Sequence, residues 1–116
     1  MIITKKTPFT LEEIELMSEE YEYYIKVVLD LELKICSGGC ILHSDSEKIL
    51  IDKRSAQKDI WGGGVNMVTK DIDCNALINI KPRTGNNSIE IVSELTRTNF
   101  ENLIKHFFSV YYGEQT

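Results

Sequence analysis

Leu11, Ile14, Met17 and Tyr21 recur at the three- to four-residue spacing of one helix face. Thr10-Leu11-Glu12-Glu13 ahead of them has the form of a capping box, in which the hydroxyl accepts from first-turn amides and Glu13 reaches back. The pattern predicts a helix opening at Thr10 with that stripe toward the core. Upstream, Ile2 and Ile3 predict a short edge strand within residues 1–7, ended by Pro8.

From residue 24 the period falls to two. Ile25, Val27, Leu29, Leu31, Leu33 and Ile35 alternate with Tyr24, Lys26, Val28, Asp30, Glu32 and Lys34, which predicts one long strand with a buried face. Ser37-Gly38-Gly39 then predicts a tight turn and residues 40–43 a returning strand. Ser44-Asp45-Ser46-Glu47 is a second capping box, opening a short helix to about Asp52 with Ile49 and Leu50 inward. Residues 53–59 are polar and predict a loop. Gly62-Gly63-Gly64, after Ile60 and Trp61, requires a sharp bend or a close approach of the backbone to something else.

Residues 65–69 predict a strand and Lys70-Asp71 a turn. Ile72, Cys74, Ala76, Ile78 and Ile80 alternate with polar or exposed positions and predict a half-buried strand that Pro82 ends. Residues 82–87 are dense in turn formers, and residues 89–92 are expected to pair briefly. Thr98-Asn99-Phe100-Glu101 is a third capping box, followed by the stripe Phe100, Leu103, Ile104, Phe107, Phe108 and Tyr111. Residues 113–116 are expected to fray.

This order of elements predicts one α+β domain over residues 1–116. Its sheet is mainly antiparallel, with four or five strands and the N- and C-terminal helices packed on one face. A length of 116 residues suits a single core. The net charge of −5 argues against a nucleic-acid-binding module but leaves room for a local anion site. No apolar run approaches the roughly 20 residues of a membrane helix, and no secretory h-region opens the chain. Cys36, Cys40 and Cys74 are odd in number, which favours reduced thiols. The expected location is therefore cytoplasmic.

Three polar clusters lie beside the expected strands. The first is His43-Ser44-Asp45. The second runs from Ser55 through Gln57 and Asp59 to Trp61. The third spans Asn79, Lys81, Arg83, Asn86 and Ser88. Gathered at one edge of the sheet, they would combine an imidazole, carboxylates, amides, an indole and two cations, a mixture suited to a polar ligand. Each also has a plain structural use. Asp45 favours a helix start, Trp61 anchors a core, the glycines form a bulge, and residues 82–87 form a turn. The glycine run lacks the Lys-Ser/Thr ending of a P-loop and the spacing of a dinucleotide fingerprint. Cys36, Cys40, His43 and Cys74 are metal-ligand types, but strand geometry sends Cys40 and His43 to opposite faces, and Cys74 is in phase with the buried set. No metal and no cofactor is assigned.

Leu42-His43-Ser44-Asp45, Ser55-Ala56-Gln57-Lys58-Asp59-Ile60-Trp61-Gly62 and Leu77-Ile78-Asn79-Ile80-Lys81-Pro82 with Gly85, Asn86 and Ser88 resemble the signature of a family of small bacterial proteins catalogued as a domain of unknown function. The resemblance runs from about Phe9 to Phe108. It supplies no activity; it implies that His43, Asp45, Gln57, Asp59, Trp61, Asn79, Gly85, Asn86 and Ser88 carry a shared polar signature. The chain departs from that pattern at Ile41, where the family tends to place an acid, and at Lys81 and Asn87, where arginine is typical. The triple glycine resembles an insertion, and the cysteines lie outside the pattern.

The leading expectation is a domain that binds a small polar or nucleotide-like ligand in a pocket formed by three loops. Trp61 would stack, Lys81 and Arg83 would meet negative charge, and Gln57, Asn79, Asn86 and Ser88 would hydrogen-bond the ligand. One alternative is a small hydrolase or transferase with His43 as general base, oriented by Asp45 or Asp59. The other is a homodimeric or protein-interaction module without a small-molecule site.

Overall fold

The computed structural model describes residues 1–113, so most of the tail expected to fray, residues 114–116, lies outside the described residues. Five strands, β1 (Ile3–Lys5), β2 (Tyr24–Asp30), β3 (Ile35–Gly38), β4 (Ile60–Asn66) and β5 (Ile72–Asp73), form one antiparallel sheet in the order β1-β3-β2-β4-β5. The helices are α1 (Leu11–Met17), α2 (His43–Asp52), α3 (Glu94–Phe107) and α4 (Ser109–Tyr112). Short 3₁₀ turns occupy Gln57–Asp59, Leu77–Asn79 and Pro82–Thr84.

The first face of the sheet carries Ile25, Val27 and Leu29 of β2, Cys36 of β3, and Trp61 and Val65 of β4. They pack against Ile14 and Met17 of α1 and Phe100, Ile104 and Phe107 of α3. Both terminal helices thus lie on one face, as the period-3.6 stripes require. The opposite face carries a smaller cluster, Val28, Ile35 and Ile60 around Leu50 of α2. Burying both faces explains why β2 is apolar at consecutive positions 27–29.

Thr10 caps α1 as expected: its hydroxyl accepts from the Glu13 N–H at 3.1 Å, and Glu13 Oε1 accepts from the Thr10 N–H at 2.9 Å. Leu11 departs from the expected stripe and is exposed, and α1 ends before Tyr21.

The long strand expected over residues 24–35 is instead a hairpin. Asp30 Oδ1 accepts from the Glu32 and Leu33 N–H groups at 2.9 and 2.8 Å, and Lys34 takes φ 56°, so the chain reverses between Asp30 and Ile35. Residues 37–38 therefore lie in strand β3, not in a turn, and residues 40–42 lead directly into α2 without a returning strand. That helix starts two residues earlier than the Ser44 box implies, with Leu42 as N-cap and Asp45 Oδ2 accepting from the Leu42 N–H at 3.2 Å. The helix α3 is capped by Ser93, whose hydroxyl accepts from the Thr96 N–H, and Thr98 falls inside the helix.

The glycine run is regular strand, and close approach is the reason for it. A Cβ on Gly62 would lie 2.8 Å from Ala76 Cβ, one on Gly63 would strike Phe100 and the Asp73 carbonyl, and one on Gly64 would strike Tyr24. The strand ends at Asn66, short of the expected Thr69, because the Asn66 side chain closes a turn onto Val68 and Thr69. Beyond Asp73 the expected strand stops as well. Residues 74–76 pair with 89–91, and the chain coils at Leu77–Asn79.

Candidate functional site

The three sequence clusters do converge, and β4 is where they meet. Asn79, fully buried, places its amide against Gly62: Oδ1 accepts from the Gly62 N–H at 2.8 Å, and Nδ2 donates to the Gly62 carbonyl at 2.9 Å. The same Nδ2 donates to the Cys74 and Ile89 carbonyls at 3.1 and 2.9 Å. The side chain substitutes for a strand residue beside β4 where β5 has ended. Asn86 closes the next loop in the same way. Its Nδ2 donates to the Asn79, Ser88 and Glu90 carbonyls, and its Oδ1 accepts from the Val92 N–H. Both amides are committed to backbone.

Lys81 is also buried, with Nζ donating to the Gln57 and Ile78 carbonyls at 2.9 and 3.1 Å and lying 5.1 Å from the centre of the Trp61 ring. Burial lowers its pKa, against the pull of Glu47 and Asp59. Trp61 itself belongs to the core of the first face. Gln57 and Arg83 are exposed, and Gln57 Nε2 donates to Glu47 at 3.4 Å. Ser88 accepts from the Glu90 N–H within its turn. Asp59 accepts from its neighbour Lys58. The loops thus come together, but most of their polar atoms are used to hold one another.

His43 has a different setting. As the first residue of α2 it points back over β4, its Nε2 lying 2.7 Å from the Gly63 carbonyl. A carbonyl oxygen only accepts, so Nε2 carries the hydrogen and the neutral ring keeps a lone pair on Nδ1. Burial lowers the pKa of His43, the bond to Gly63 opposes this, and Lys26 lowers it further. The group that orients His43 is therefore a backbone carbonyl; the Asp45 carboxylate is engaged at the helix cap.

Along the same face run three side chains that sequence reasoning left out. Tyr24 reaches across Gly64, and its hydroxyl donates to Asp73 Oδ2 at 2.5 Å. Burial and the neighbouring carboxylate raise the Tyr24 pKa strongly, so the phenol stays protonated. Asp73 Oδ1 accepts from the Asn75 N–H. Lys26, two residues along β2 and paired with Gly64, donates to the Ile41 carbonyl at 3.0 Å and lies 4.9 Å from the centre of the Tyr21 ring. Tyr24, Lys26, His43 and Asp73 are all half-buried. The signal for Tyr24 and Lys26 was present in the alternation, which sets both on the face opposite Ile25 and Val27. Asp73 gave no such signal, because its role depends on the pairing of Asp73 with Gly64.

The cysteines do not offer a nucleophile. Burial holds Cys36 and Cys40 above the ordinary thiol range and pushes Cys74 up to about 12, with Glu101 and Asp73 adding to the effect. Among the described residues no group of three or more His, Cys, Asp or Glu side chains is placed to hold a metal ion. No helix among them is long and apolar enough to cross a membrane.

A family described as proteins of unknown function (DUF5674) matches residues 1–107. Comparison with curated proteins and with solved structures gives no match.

Proposed function

Since the chain belongs to the DUF5674 family, whose description carries no activity, we propose from the geometry that the domain binds a small polar ligand with a negative group on the row Tyr24, Lys26, His43 and Asp73. Lys26 meets the negative charge. His43 presents Nδ1 as acceptor, and the carboxylate of Asp73 receives a hydroxyl or amine. The observation that carries this reading is the juxtaposition of an imidazole, an ammonium and a phenol–carboxylate pair, all half-exposed, at the end of the sheet's second face away from Leu50. Fixed polar groups of mixed character on a rigid strand scaffold are what orientation-specific recognition requires. The small polar ligand is the one expected from sequence; its contacts shift from the loop amides, which backbone occupies, to the neighbouring strand face.

The test is a titration of ¹⁵N-labelled protein with a panel of small carboxylates, phosphates and nucleotides. Amide shifts confined to residues 24–26, 43, 62–64 and 73, and lost in Lys26→Ala, support the reading. Shifts centred elsewhere, or a Lys26→Ala variant that responds like the parent, sink it.

A second reading rests on the same imidazole. With Nε2–H fixed on Gly63 and the ring kept neutral by burial, Nδ1 is set up as a general base for a hydrolase or transferase. Turnover of p-nitrophenyl esters or phosphates that disappears in His43→Gln would favour it; turnover that persists in that variant would exclude it.

A further inference from the structure

On the other side of the molecule, α1 and the turn after β4 leave a groove of about 440 Å³. Its floor is apolar, formed by Leu11, Ile14, Tyr23, Met67 and Tyr111. Leu11 and Tyr23 are 57% and 58% exposed, so two large apolar side chains stand open side by side at this groove. Tyr23 also holds φ 68°, a left-handed backbone that a bulky residue rarely adopts.

The charged side chains that line the groove are both acidic. Glu15 and Glu22 line the groove, and the segment 12–22 holds Glu12, Glu13, Glu15, Glu19, Glu20 and Glu22 without a lysine or arginine. Glu13 pairs with Lys5; Glu15 and Glu22 make no ion pair among the described residues. One cation, Lys70, lies over the Tyr111 ring at 5.2 Å. A second copy docking by this face would bring the two acidic rims together, and an anionic lipid surface would be repelled by them. The complementary occupant is apolar at its centre and basic at its edges.

We infer that this groove is a docking site for an amphipathic segment of a partner protein, with one or two large apolar anchors flanked by lysine or arginine. The anchors fill the floor between Leu11, Met67 and Tyr111, and the flanking cations meet Glu15 and Glu22. This surface is separate from the polar row and does not depend on it.

The experiment uses a fluorescein-labelled helical peptide of leucine and lysine, with a leucine–glutamate peptide of the same apolar pattern as control. The lysine peptide is expected to bind, with amide shifts at Leu11, Ile14, Tyr23, Met67 and Tyr111, and the glutamate peptide is not. Glu15→Lys with Glu22→Lys is expected to weaken binding by about tenfold or more, since two rim attractions become repulsions. A charge-matched control, Glu32→Lys with Asp52→Lys, is expected to leave binding unchanged. Equal weakening in both double variants, equal binding of both peptides, or shifts outside the groove overturn the inference. So does self-association of the protein that moves the same amides, which would assign the groove to a second copy.

Discussion

The side-chain amide of Asn79 closes four hydrogen bonds to three segments, at Gly62, Cys74 and Ile89, with no exposed surface. Asn79→Ala leaves the buried Gly62 N–H and carbonyl without partners, whereas the Cys74 and Ile89 carbonyls keep the Ile91 and Ala76 N–H groups. At about 1 kcal/mol or more for each of these two orphaned groups the loss is roughly 2 kcal/mol, a sizeable share of a small domain's stability. Urea unfolding is expected to show it as a lower midpoint. A variant as stable as the parent would mean that the amide is replaceable by solvent. The same residue shows why the candidate site was only partly legible in the sequence. Asparagine, lysine and glycine beside a strand have one appearance whether they face a ligand or a backbone, and only the fold reveals that Asn79, Lys81 and Asn86 face backbone.

At the scale of elements, the alternation from Ile25 to Ile35 correctly placed Ile25, Val27 and Leu29 on a buried face but ran unbroken through a turn. A two-residue period cannot distinguish a strand from a hairpin whose loop is also apolar at every second position, as Leu31 and Leu33 make it here. The reversal depends on the Asp30 carboxylate and on Lys34 at φ 56°, neither of which disturbs the pattern. The apolar stripe of α3 was read correctly from Phe100 onward. Its start was not, because the first turn, with Leu95 72% exposed, overhangs the core and shows no stripe. The α1 cap was legible because the capping box and the apolar stripe begin together there. Relief of the left-handed strain at Lys34 gives a direct check: Lys34→Gly is expected to stabilise the domain by about 0.5–1 kcal/mol, read as a higher thermal midpoint. A drop in the midpoint would show that the Lys34 side chain contributes more than its backbone costs.

For the molecule as a whole, the buried setting of His43 links stability to pH. Its folded pKa lies below the ordinary imidazole value of 6.5. The unfolded chain therefore takes up a proton first, so stability is full above 6.5 and falls as the pH drops from there toward the folded pKa. Unfolding midpoints measured between pH 7.5 and 5 are expected to decline less steeply in His43→Gln than in the parent; parallel declines would mean that His43 is not the group responsible. His43, at the start of α2 on the second face, is half-buried against β4 and lies beside Lys26 and Asp73, which is why the sheet's second face, and not the loop cluster, is the proposed binding surface.

Native mass spectrometry of protein purified without a denaturing step tests that proposal most directly. The account predicts a small-molecule adduct above the 13.3 kDa chain that is lost in a Lys26→Ala, His43→Ala double variant that stays folded. An adduct of the same mass retained at full occupancy by that variant would contradict it and place the ligand elsewhere.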